Sequence, residues 1–160
     1  MKLAIRSTED LDIDIIALNI READLMEIEA SGTKDPRDAL QNAYDICGPE
    51  CFTIVMDELP IAMFGTAKVE LIPEFASIWL LGTDDITNTA PISFLRIVKK
   101  VFKHVIEPYE MVFNVMDKRN EFSIRFVKWL GFSFIREIPY GPNSVPFYEF
   151  ALINKRRSHV

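Results

Sequence analysis

Two histidines, two cysteines and six glycines are few for a chain of 160 residues, and each scarcity narrows the chemistry open to it. His104 and His159 share no ligand spacing with each other or with the cysteines, so no metal site is expected. Cys47 and Cys51 stand four apart around Gly48-Pro49. A disulfide there needs an oxidising compartment, and no apolar run follows Lys2 to act as an export signal. Buried thiols are expected, with Cys51 opening a strand. No apolar stretch approaches the roughly 20 residues needed to cross a bilayer. Excess positive charge is also missing. With 18 Lys and Arg against 24 Asp and Glu, the net charge is -6, which argues against nucleic-acid binding through a basic surface. The one cationic cluster outside helices, Lys155-Arg156-Arg157-Ser158-His159, reads as a solvated tail.

What is present is apolar content, 49% of residues. That suits one domain, residues 1–154, burying about 70% of its extended-chain surface, followed by the basic tail 155–160. Leu3 to Arg6 reads as a strand. Ser7 or Thr8 then caps an acidic helical stretch whose Leu11, Ile15, Leu18, Ala23, Met26 and Ala30 keep helical spacing as far as Ser31-Gly32. A second helix starts at Asp35-Pro36 and ends at Gly48-Pro49. Phe52 to Met56 and Ile61 to Gly65, joined at Asp57-Glu58, read as an antiparallel hairpin. Ser77 to Leu81 has almost no polar positions and reads as a central strand.

A helix over 91–106 places Ile92, Leu95, Val98, Phe102 and Val105 on one stripe. Strands at 111–115, 132–135 and 147–153 complete the pattern, with a helix after Asn120 and a loop at 139–143. The order is that of a mixed α/β (α+β) domain. Strands 77–81 and 110–116 are expected to be parallel neighbours joined by the 91–106 helix.

The most informative stretch is Asn120-Glu121-Phe122-Ser123-Ile124-Arg125-Phe126-Val127-Lys128-Trp129-Leu130-Gly131-Phe132. It reads as a capped amphipathic helix that stops at glycine and turns directly into a strand, with Trp129 and Leu130 expected to be buried beside Phe132. It resembles the closing helix of the GNAT acyltransferases, in which an asparagine is followed by a small residue, a helix and Gly-Phe. Val127 stands where that family usually carries a tyrosine. Further stretches narrow the likeness: Ile20 to Asp24, Ser31-Gly32 with Asp35-Pro36 and Ala39-Leu40, Pro60 to Gly65, Trp79 to Thr83, Phe94 to Arg96, and Pro139 to Pro142 with Pro146-Phe147. Together they are similar to GNAT-like proteins of tailed bacteriophages, the group that includes the small internal virion protein of short-tailed coliphages.

That resemblance implies a GNAT-like sheet of six to seven strands with helices on both faces, and an acyl-coenzyme A site where two central strands splay. On it, Leu81, Gly82, Thr83, Asn88, Thr89 and Asn120 are the cofactor-binding candidates. Asp117, Tyr140 and Tyr148 are the catalytic candidates, the tyrosines as substitutes for the missing one. Glu22, Asp24 and Asp84 are further carboxylates open to the base role. The implied cradle, Gly82 to Ala90, has one glycine and two adjacent aspartates, Asp84 and Asp85, which would repel a pyrophosphate by about 1 kcal/mol per charge pair in water.

Two readings follow. In the first, a phage GNAT-fold protein acts in virion assembly or as an internal virion component, its acyltransferase site degenerate, with no cofactor or only weak binding of acetyl-coenzyme A. In the second, an active acetyl-coenzyme A-dependent N-acetyltransferase modifies a host or phage protein. Either places the chain in the host cytoplasm during infection, or in the virion, with a phage or host protein as partner and no nucleic acid or membrane span.

Overall fold

The computed structural model describes residues 1–88 and 92–154, apart from the side chain of Ser93. The proposed tail 155–160 and the cofactor candidate Thr89 lie outside the described residues. Seven strands form one sheet: β1 (Leu3–Ser7), β2 (Cys51–Met56), β3 (Leu59–Val69), β4 (Ile72–Gly82), β5 (Met111–Asp117), β6 (Ser133–Tyr140) and β7 (Val145–Ile153). Their order is β1-β2-β3-β4-β5-β7-β6. Every pairing is antiparallel except β4 with β5, which is parallel. The expected crossover is there. Between β4 and β5 run a single turn, α4 (Asp85–Asn88), and the long helix α5 (Ile92–Ile106).

Apolar residues on the two sheet faces recruit different helices. Ile13 and Ile16 of α1 (Asp10–Leu18) and Leu40 of α3 (Pro36–Cys47) pack on Cys51 and Met63. On the opposite face Phe102 and Ile106 of α5 meet Val112, Met116, Phe132 and Phe150, with Ile124, Val127 and Leu130 of α6 (Glu121–Leu130) against them. Both cysteines are free and buried.

Several local expectations need correction. The acidic helical stretch is two helices, α1 and α2 (Glu22–Ala30). The chain breaks because Ile20 bridges to Thr83 and the Arg21 N–H donates to the Gly82 carbonyl, which draws the backbone away from its own helix. The first cap is Glu9, not Ser7 or Thr8: the Glu9 N–H donates to Asp12 Oδ2 at 2.9 Å. Thr8 is buried instead and donates to the Cys51 sulfur.

Leu11 and Leu18 are exposed, because α1 turns Ile13, Ile16 and the charged Asp12 inward. Burial would raise the Asp12 carboxyl, but hydrogen bonds from Arg6, the Glu9 amide and Thr53 outweigh it and hold the group below the usual carboxylate range. Ile92 is also exposed; Phe94 is buried in that turn of α5. Trp129 is 41% exposed rather than buried beside Phe132, since its ring stacks along the outside of α6 on Phe126.

Candidate functional site where β4 and β5 separate

The parallel ladder is short. β4 and β5 pair only from Phe75 with Met111 to Ser77 with Phe113. Where it stops, Asn114 takes the place of the missing rungs: its Nδ2 donates to the Ile78 carbonyl at 2.7 Å and its Oδ1 accepts from the Val115 N–H at 2.8 Å. Beyond it opens a cavity of about 230 Å³, with Ile78, Leu80, Glu27, Ser123, Val127 and Leu130 among its walls.

Strand geometry assigns the open edge. The Ile78 carbonyl and the Gly82 N–H both point away from β3, whereas the Thr83 N–H bonds back to Ile61 of β3. Peptides alternate with a period of two, so the Leu80 N–H and C=O face the opening, beyond the last β4–β5 partners, Ser77 and Phe113.

The far end of β4 is closed by a buried ionic cluster. Arg21 and Asp24 are 3% and 0% exposed and pair at 2.6 and 2.7 Å. The Gly82 N–H donates to Asp24 Oδ2 at 2.9 Å, and Asn120 Nδ2 reaches Asp24 Oδ1 at 3.3 Å. Arg21 Nη2 also donates to Asn120 Oδ1 at 3.0 Å and to Ser123 Oγ at 2.8 Å, and its guanidinium lies 5.1 Å from the Phe122 ring centroid. The cluster therefore ties α2 to the end of β4 and the start of α6, satisfying each charge it buries.

One turn along α2, Glu27 stands at the cavity wall. Its Oε1 accepts the Asp117 N–H at 2.6 Å. Its second oxygen has no partner among the described residues, and it is not sealed from solvent. Burial, reinforced by the charges of Asp24 and Asp117, pushes this carboxyl up to about 8.

The residues singled out from sequence fall in distinct places. Asp117 is buried and caps the turn before α6, accepting from the Arg119 backbone and guanidinium at 2.8 and 2.6 Å. Burial works against its charge, but the bonds from Arg119 win and keep the carboxyl low. Tyr140 packs on Phe147 with centroids 4.6 Å apart. Tyr148 meets Phe134 edge-on at 5.4 Å, on the sheet face covered by α6. Leu81 pairs with Met63 in the ladder and packs towards α1 and α3.

Gly82 has both its N–H and its carbonyl engaged, and Thr83 is buried. Asn88 is exposed at the end of α4, where its N–H bonds back to the Asp84 carbonyl. Asn120 is buried and caps α6, its Oδ1 accepting the Ser123 N–H at 3.4 Å. Glu22 and Asp84 are exposed.

Sequence reasoning missed Glu27 and Leu80. Arg21, Asp24 and Glu27 recur every third residue, which puts them on one helix face and was a legible sign of charges turned inward. Nothing in the sequence marks Leu80, whose contribution is its backbone. Among the described residues no cluster of His, Cys, Asp or Glu could hold a metal ion, and no helix is long and apolar enough to cross a membrane.

The apolar cavity and the Leu80 peptide facing it suit an acyl chain carried on an amide-bearing arm. Beside the cavity, a groove of about 370 Å³ is walled by Thr87, Phe122, Arg125, Phe126 and Trp129, and Lys99 Nζ lies 4.8 Å from the Trp129 ring centroid. Arg125 on its wall, Lys99 beside it and the flat rings suit the phosphates and base of a nucleotide handle. The residues present therefore fit acyl-coenzyme A.

No protein-family model matches the chain, and no curated protein matches its sequence. Solved structures do. A GNAT-family acetyltransferase from Bacillus anthracis has a TM-score of 0.69 at 16% identity, covering 96% of this chain and 95% of that one. A spermidine N-acetyltransferase chimera from Vibrio cholerae has a TM-score of 0.70 at 12% identity over 100% of both chains. A phosphinothricin acetyltransferase from Sinorhizobium meliloti, solved with acetyl-coenzyme A, has a TM-score of 0.70 at 11% identity, covering 96% of this chain and 89% of its own. With seven strands in this order, helices on both faces and a splay between β4 and β5, the chain has the fold of the GNAT acetyltransferases.

Proposed function

We propose that the chain is an acyl-coenzyme A-dependent N-acyltransferase acting on an amine, with Glu27 as the group that accepts the amine proton. The observation that carries this reading is the position of Glu27: a carboxyl raised to about 8, with one oxygen free, at the wall of the cavity opened by the splay. A base is most useful when its proton affinity lies near the working pH, and Glu27 meets that condition where Asp117, held low by Arg119, does not.

When bound, acyl-coenzyme A supplies an activated acyl group as a thioester. The Leu80 peptide would hold the amides of its arm, the apolar walls would exclude water, and Arg125, with Lys99 beside it, would offer positive charge to its phosphates. The test is coenzyme A release from acetyl-coenzyme A in the presence of a panel of amines and basic peptides. The rate should rise as Glu27 ionises through about pH 8, and Glu27→Gln should lower it by 10²–10⁴-fold. A rate independent of Glu27 would remove the assignment.

A second reading has specific support. Asp24 occupies the Gly82 N–H, Val127 lines the cavity where the resembled family carries a tyrosine, and Asp84 and Asp85 flank the loop. Those features, with the resemblance to phage proteins, favour a binding role in virion assembly, in the host cytoplasm during infection or inside the particle, with a phage or host protein as partner. Copurification of the chain with purified particles, without turnover of acetyl-coenzyme A, would favour it.

A further inference from the structure

We propose that Ser123 is the hydrogen-bond donor that steadies the departing thiolate in this chain, with Arg21 as the positioning residue that polarises it. The inference rests on the transferase reading above. The cavity needs such a donor, because a thiolate forming among Ile78, Leu80, Val127 and Leu130 would be an unpaired charge in an apolar space. Val127 has no polar atom to offer.

Of the polar residues on the walls, Trp79 donates its N–H to Cys47, Asn114 is pinned at the end of the ladder by one N–H on Ile78 and its oxygen on Val115, and Glu27 is an acceptor when ionised. Ser123 remains. It lies four residues before Val127, one turn away on the same face of α6.

Its environment makes it a good donor. Ser123 Oγ accepts from Arg21 Nη2 at 2.8 Å, and its own O–H has no acceptor among the described residues. A hydroxyl that accepts from a guanidinium gives up electron density and donates more strongly. Arg21 cannot swing aside, since Asp24 grips it through two bonds and Asn120 and Phe122 flank it.

The bookkeeping of the step is simple. The amine nitrogen bonds to the acyl carbon, the carbon–sulfur bond breaks with its electron pair going to sulfur, and the amine proton goes to Glu27. Ser123 keeps its proton and shares it with sulfur.

The test reads the thiol itself. Coenzyme A is bound to the intact protein, and ultraviolet absorbance of the thiolate is followed against pH for the wild type, Ser123→Ala, Ser123→Thr and Ser123→Val. The bound thiol should ionise about one pH unit lower in the wild type than in Ser123→Ala, and Ser123→Thr should restore the difference. Threonine and valine have the same shape, so that pair carries the test should the alanine variant not fold.

A second readout uses acyl thioesters with leaving thiols of graded acidity. Removal of the hydroxyl should steepen the dependence of rate on thiol acidity. A purely structural serine would lower stability and leave both readouts unmoved, and that result would overturn the proposal while leaving the transferase reading standing. Failure of coenzyme A to bind the wild type would sink both.

Discussion

Asp24 and Glu27 sit one turn apart on the same face of α2, and the contrast between them separates the closed end of the β4–β5 splay from its open part. Asp24 has a guanidinium, a backbone N–H and an amide as partners. Among the described residues Glu27 has a single backbone N–H. A charge with every lone pair answered is a structural pin, and removing its partner leaves a costly orphan. A carboxyl left short of donors instead resists ionisation and becomes available for proton transfer. Three residues of spacing therefore divide fastening from chemistry.

The sharpest way to break this contrast is Asp24→Ala, which strands Arg21 in the interior. It should cost about 3–5 kcal/mol in urea unfolding, whereas a loss below ~1 kcal/mol would mean that the pin is not a pin. Glu27→Gln should act in the opposite direction. The folded carboxyl titrates at about 8 against 4.5 for the ordinary group, so between those values the native state binds the extra proton and stability falls as pH rises. Glutamine can still accept the Asp117 N–H but cannot ionise. The variant should therefore lose this pH dependence and gain on the order of 2 kcal/mol over the wild type near pH 9. Thermal unfolding at pH 4 and pH 9 shows it, and parallel pH profiles for the two proteins would contradict it.

Smaller effects sharpen the cavity wall. Leu130 is only partly buried because it borders the opening, so Leu130→Ala should cost about 1–2 kcal/mol, below the range for a sealed core leucine. Trp129, on the outer groove, should cost less than about 1 kcal/mol in stability when changed to alanine. A larger loss there would mean that the aromatic stack on α6 holds the fold rather than walls a groove.

The larger architecture was legible because it is written in local chemistry. Asn120 and Gly131 punctuate α6, with the glycine at φ 106° in the left-handed region. Asp35-Pro36 starts α3, and Asp57 and Glu58 turn the β2–β3 hairpin at positive φ. The break between α1 and α2 was not legible, because its cause is a pairing of Ile20 and Arg21 with the end of β4, some sixty residues away. The candidate site was hidden for the same reason. Leu80 offers the opening only its peptide, and the environment of Glu27 is made by Asp24 and by Asp117 from β5. Ser123 acquires its partner only when α2 and α6 meet.

Calorimetric titration of acetyl-coenzyme A into the wild type and Val127→Trp tests the splay as a binding site most directly. The wild type should give a saturable one-to-one heat. The tryptophan variant, folded by circular dichroism but with its cavity filled, should give none. No heat from the wild type, or the same heat from both proteins, would show that acyl-coenzyme A does not bind between β4 and β5.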